Sequence, residues 1–313
     1  MRPFTVDQVN EFYRKYGIDL DYKKVSNSGL ESDEISKPLF CWMIALVYVE
    51  NNSIFASKET TLNRVLLFFA VIHDIILGKH ISEADKYGYK KHVLNEKLVL
   101  RKIAELKHGY GDNLTRATIL KLLQRSRGMI NPRILEVYDK LISTYFYEST
   151  GSDYDEHIDF IHRSFEEYLL AEYYIECFLR NKHYRINIKM PTAVTVQFFD
   201  GLLQLLNTDD DSLSEYAQKL ARTYRDVLDA ISLRQKLLSR ARTIFVDENV
   251  YRNNRKEYPN TSESYESLAL NRWMSITVLN RLGKMYGLDT KMSFKLLKAT
   301  HGSIRVYDTN RQY

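Results

Sequence analysis

Apolar positions along the chain recur mainly at helical spacing. In FTVDQVNEFYRKYG (4–17), Val9, Phe12, Tyr13 and Tyr16 lie three or four apart, which predicts a short amphipathic helix. Thr5 is placed to cap it and Gly17 to end it. The polar stretch DYKKVSNSGLESDEIS (21–36) reads as a loop. KPLFCWMIALVYVE (37–50) follows, with Pro38 in a helix first turn, where its missing N–H costs nothing. It is apolar nearly all round, which predicts a buried helix. TTLNRVLLFFAVIHDIILGK (60–79) reads as another, ending near Gly78.

The rhythm changes after residue 95. NEKLVLRKIAELKHG (95–109), TRATILKLLQRS (115–126) and NPRILEVYDKLIS (131–143) predict three short helices, the last capped by Asn131 with Pro132 at its first position. STYFYES, the turn-rich TGSDYDE and HIDFI then predict a β-hairpin over 143–161. Three helices followed by a hairpin is the winged-helix pattern, which serves both nucleic-acid binding and plain packing. Beyond it, 192–206, 212–246, 264–287 and KMSFKLLKATHG (291–302) read as further helices, with 212–246 long enough to be broken. The predicted fold is mostly α: helical bundle domains flanking a winged-helix domain with a small β-hairpin wing. The boundaries are 1–80 for a first helical domain, 81–163 for the winged helix and 164–313 for a second helical domain.

Composition agrees with this pattern. Twelve Gly and five Pro in 313 residues are few turn-makers for a sheet sandwich, and 44% hydrophobic residues suffice for a core. Charge is uneven: from Lys219 onward there are 18 Lys and Arg against 9 Asp and Glu, a net +9 in a chain whose total is +5. Such asymmetry suits solvated helix faces, and also a basic surface at 219–313 for an acidic partner such as nucleic acid. Cys41 and Cys177 sit in apolar helical text and read as reduced, buried thiols, which with the absence of a signal-peptide pattern predicts a cytoplasmic protein. The longest clean apolar run, 39–49, is about half the ~20 residues needed to span a bilayer, so no membrane partner is expected.

One stretch carries chemistry: IDFIHRSFEEYLLAEYYIE (158–176). Ser164 and Glu167 have capping-box spacing, which predicts a helix starting near Phe165, with Phe165, Tyr168, Ala171, Ile175 and Phe178 along one face. His162 then stands two residues before the cap. A helix N-terminus offers partial positive charge and spare N–H donors, so an imidazole there suits an anion, phosphate above all. The plainer reading is a histidine that caps a turn or packs against the hairpin.

The stretch resembles the signature of NACHT-type STAND NTPases, F-x-H-x-[ST]-F-x-E-[FY]-x-x-A, through Phe160, His162, Ser164, Phe165, Glu167, Tyr168 and Ala171. RPFTVDQVNEFYRKYG resembles the opening of that family's first helical domain, and SKPLFCWMIALVY its proline-bearing helix. The resemblance spans about residues 1–180 and is specific over 158–176. It implies a switch in which ADP, in the resting state, bridges an ATPase core, the first helical domain and the winged helix. His162 would contact the β-phosphate and Pro38 the adenine. Exchange of ADP for ATP would free the winged helix and permit self-assembly, in innate immunity, programmed death or antiviral defence.

The sequence departs from the family in one large respect. No GxxxxGK[ST] occurs, and LLFFAVIHD imitates a Walker B strand without a P-loop partner. The chain is therefore expected to be no enzyme by itself, to have no catalytic residues, and to meet ADP or ATP only with an NTPase core supplied in cis or in trans. Other chemistries are weaker. His73-Asp74 suggests an HD-type phosphohydrolase, but that enzyme needs a ligand histidine upstream and His73 is the first in the chain. No Cys/His spacing suggests a metal site. Adjacent Glu166 and Glu167 point about 100° apart on a helix and are no catalytic pair. The serious alternative is a winged-helix transcriptional regulator, using Arg116, Lys121, Arg125, Arg127 and Arg133 together with the basic C-terminal half.

Overall fold

The computed structural model describes residues 2–27, 30–50, 64–76, 100–101, 103–108, 115, 118, 146–149, 157–180, 191–207, 211–224, 227–253, 265–283, 294–297 and 305–308. These are mostly helical and divide between two compact units, Met1–Val93 and Leu94–Tyr313.

The first unit opens with α1 (Val6–Lys15). Thr5 caps it through a capping box: its Oγ1 accepts from the Gln8 N–H at 3.3 Å, and Gln8 Oε1 accepts from the Thr5 N–H at 2.9 Å. The chain leaves the helix at Gly17, whose φ of +65° is one that a side chain would strain. The stretch 21–36 is not the loop its polarity suggests. It holds two short helices, α2 (Tyr22–Ser26) and α3 (Ser32–Ile35). Asp21 caps α2 by accepting from Lys24 N–H at 2.7 Å, and Val25, Leu30 and Ile35 anchor the segment to the core. One apolar side chain per turn is enough when the caps are supplied.

α4 (Pro38–Glu50) begins at the proline, as expected, and buries Phe40, Cys41, Met43, Ile44 and Val47. It is not buried all round: Trp42 is 43% and Val49 67% exposed. α5 (Arg64–Phe69) continues without a break as a π-helical turn, Ala70–Ile76. Residues Val65–Ile72 are all buried, so the segment sits in the interior of its unit. The Walker B look-alike is thus helix, and its Asp74 does not end a strand. The expected end at Gly78 lies outside the described residues.

The second unit holds α6 (helical at 100–101 and 103–108), the antiparallel hairpin β1 (Phe146–Ser149) and β2 (His157–Phe160), and α7 (Arg163–Leu179). It continues with α8 (Ala193–Leu206), α9 (Asp211–Ala221), α10 (Ala230–Asn253) and α11 (Tyr265–Leu282). The hairpin falls where turn chemistry predicted it, in the register Phe146↔Phe160. The expected helices at 115–126 and 131–143, with Arg116, Lys121, Arg125, Arg127 and Arg133, lie outside the described residues.

The long pattern 212–246 is broken between α9 and α10. Asp229 starts α10 by accepting from the Ser232 N–H at 2.7 Å and its hydroxyl at 2.9 Å. Residues 294–297 were expected to be helical and are instead β3 (Phe294–Leu297), paired antiparallel with β4 (Arg305–Asp308). The Val306-Tyr307 pair favours extended backbone, and the pairing Leu296↔Val306 overrides the weak helical pattern.

The core of this unit is built around α7, which packs on α8 and α10 and against β2. Tyr168 meets Phe198 edge-on at 5.3 Å, and Phe199 lies 4.9 Å from Trp273 on α11. Arg281 grips Asp200 with two hydrogen bonds, Nε–Oδ1 at 2.6 Å and Nη2–Oδ2 at 2.5 Å.

Candidate functional site at the start of α7

The helix begins two residues earlier than Ser164 predicts. Its N-cap is His162, in extended conformation (φ −147°, ψ 136°), and the His162 Nδ1 accepts from the Ser164 N–H at 3.1 Å. Nδ1 reaches this N–H because β2 delivers residue 162 in the β region, the backbone state an N-cap requires. The expected capping box is therefore not formed. Ser164 lies inside the helix and is buried. Glu167 does not turn back to the cap: it accepts from the Thr192 hydroxyl at 2.8 Å and pairs with Arg163 at 3.4 Å.

The cap sets the chemistry of the ring. An imidazole whose Nδ1 accepts a hydrogen bond carries its neutral-state proton on Nε2. His162 is thus fixed as an Nε2–H donor at the N-terminus of a 17-residue helix. Its position is also distinctive within the quoted signature. Phe160, Ser164, Phe165, Glu167, Tyr168 and Ala171 are all buried, and His162 alone of the seven is exposed. Six residues build the joint between hairpin and helix, and the seventh faces outward. Arg163, beside it, is 73% exposed along its side chain.

Pro38 occupies the first position of α4 in the first unit and is half-buried. It and His162 belong to different units, so each is described in its own surroundings. His73 is buried in the π-helical turn with its ring 4.8 Å from that of Phe69. Among the described residues, no three His, Cys, Asp or Glu side chains gather as metal ligands would.

Two polar groupings were not foreseen. The first centres on Arg101 of α6, which is fully buried. Its Nε donates to Glu172 at 2.9 Å and its Nη1 to Glu176 at 3.2 Å. Nη1 also donates to the Thr223 carbonyl at 3.3 Å and Nη2 to the Thr223 hydroxyl at 2.6 Å. The guanidinium lies over the Tyr224 ring, 4.5 Å from its centroid. Burial by itself would lower the arginine's pKa; Glu172, Tyr224 and Glu176 outweigh it and hold the group above its ordinary value. Glu176 also pairs with Arg180 at 2.9 Å, so two cations face two carboxylates.

The second grouping surrounds Glu166. His108 Nδ1 is 3.8 Å from Glu166 Oε1, and Lys107 is 3.4 Å from Asp159. Burial, with help from Asp159 and Glu167, pushes the Glu166 carboxyl up to about 7, against the pull of Lys107 and Arg163. Glu166 and Glu167 do point apart, one toward α6 and the other toward Thr192. The signal for the first grouping was present in the sequence. Glu172 and Glu176 stand four apart on a helix face otherwise filled by Tyr168, Ile175 and Phe178, and buried carboxylates at that spacing require a cation.

No protein-family model, curated protein or solved structure matches the chain. No helix among the described residues is long and apolar enough to cross a membrane.

Proposed function

We propose that this chain is the regulatory helical and winged-helix part of a NACHT-like STAND NTPase. It closes over ADP or ATP held by a P-loop core in cis or in trans, and passes nucleotide exchange to an assembly or signalling surface in immune or antiviral defence. The observation that carries this reading is the exposure of His162, alone among seven matched signature residues, at the N-terminus of α7. Its Nε2–H and the helix N-terminus suit a phosphate oxygen. The β1–β2 hairpin supports a wing beside α7, and in this reading Pro38, the first residue of α4, would be the adenine contact of the first helical domain. The switch works because two nucleotides bind two arrangements with different affinity.

The test is to reconstitute the chain with a P-loop core and compare ADP retention for His162 and its His162→Asn variant. Asparagine is a strong N-cap, so it keeps the helix while removing the imidazole. Loss of ADP with unchanged stability supports the sensor; unchanged ADP retention rejects it.

One observation favours a second reading, a nucleic-acid-binding regulator. Residues 230–246 of α10 contain Arg234, Lys236, Arg240 and Arg242 and no acidic residue, and Lys236 and Arg242 are exposed. An electrophoretic shift on random duplex that weakens steeply with salt would favour it.

A further inference from the structure

The described residues of α6 are buried apart from His108: Leu100, Arg101, Ile103, Ala104, Glu105, Leu106 and Lys107 are all inside. Such a helix needs its register fixed, and here charge fixes it. Arg101 meets Glu172 and Glu176, while His108 meets Glu166. Moving forward along α6 is moving backward along α7, so the two run antiparallel. The spacings agree. Seven residues from Arg101 to His108 rise about 10 Å, and six from Glu172 to Glu166 about 9 Å. A one-turn slip would leave Arg101 only one of its two carboxylates.

The two ends differ in kind. At the Arg101 end the contacts of Arg101 with Glu172 and Glu176 are deep, and arginine does not lose its proton in water. The other end sets the His108 imidazole 3.8 Å from Glu166, whose carboxyl burial pushes up to about 7. Facing Glu166 are Lys107 and His108 from α6, Asp159 from β2, and Arg163, Glu167 and Tyr174 from α7 itself. This end adjoins the His162 cap.

We propose that α6 is a clasp on α7 with a permanent end at Arg101 and a proton-operated end at His108–Glu166. The clasp rests on contacts within the second unit and stands whether or not His162 meets a nucleotide. Its direction follows from burial. A carboxyl that is easier to protonate in the closed state than when freed favours closure at low pH. That advantage is complete below its free value near 4.5 and is lost as pH rises through about 7. Raising the pH therefore loosens the His108 end first, while Arg101 keeps α6 tethered. His108, when protonated, opposes the loss by attracting the carboxylate.

Hydrogen exchange of the full chain, followed by mass spectrometry on peptides covering 100–108 and 163–180, tests this. After correction for the intrinsic amide rate, opening of 103–108 is expected to rise about tenfold between pH 6 and pH 8. Glu166→Gln should flatten that rise, and His108→Gln should leave it in place but move it to higher pH. Exchange at 172–180, on the Arg101 side, should stay flat over the same range. A rise that survives Glu166→Gln, or no rise in the unmodified chain, overturns the clasp. Should Glu166→Gln fail to fold, the direction of the His108→Gln shift decides, and a shift to lower pH overturns it.

Discussion

Replacing Arg101 by methionine keeps much of its volume and removes its charge. Four hydrogen bonds go, together with the stacking on Tyr224. The larger effect is on what remains. Glu172 is fully buried and Glu176 nearly so, and Glu172 loses a partner at 2.9 Å, whereas Glu176 keeps Arg180. Breaking a buried pair from one side costs about 3–5 kcal/mol, mostly for the charge left behind. With a urea slope of about 2 kcal/mol/M, the midpoint of the second unit should fall by about 2 M. The assay is convenient because the two tryptophans of the chain divide between the units: Trp273 reports the second, and Trp42→Phe silences the first. Adding Glu172→Met and Glu176→Leu to Arg101→Met should recover most of the loss, because an apolar set of similar volume no longer buries charge. A midpoint drop below about 0.5 M for Arg101→Met, or no recovery in the triple variant, would refute the reasoning.

Other outcomes follow from the same contacts. His162→Ala should lower stability by about 1 kcal/mol and His162→Asn should restore it, as chemical denaturation will show. Cys41, whose thiol burial pushes up to about 11, should react with iodoacetamide at pH 8 about a hundredfold or more slower than free cysteine until its unit unfolds. Arg281→Ala should cost no more than about 1 kcal/mol despite two short hydrogen bonds, because the pair with Asp200 is part-exposed. The purified chain should show no magnesium-dependent ATP turnover above a buffer blank, as expected for a sequence without a GxxxxGK[ST] motif.

Helices whose signals are local were legible in the sequence. Thr5, Gly17 and Pro38 mark ends through their own backbone chemistry, and the structure uses each as expected. The 146–160 hairpin was readable from its turn-rich centre. What failed was context. Ser164 and Glu167 have the spacing of a cap, yet β2 delivers His162 in extended conformation two residues sooner, and Thr192, 25 residues on, claims Glu167. The Arg101 cluster joins residues 71 to 122 positions apart, a distance across which periodicity carries no information. The Glu166 end was missed for a related reason. The two glutamates were judged against each other, whereas each has its partner on another element.

The central claim is that this chain closes over a nucleotide through His162. It is tested most directly by tagging the endogenous gene product, purifying it under native conditions and measuring bound ADP per chain. The account predicts about one ADP for each chain together with a P-loop polypeptide, covalently continuous or associated, and loss of that ADP in His162→Asn. A native species containing this chain with no P-loop partner and no bound nucleotide would contradict it.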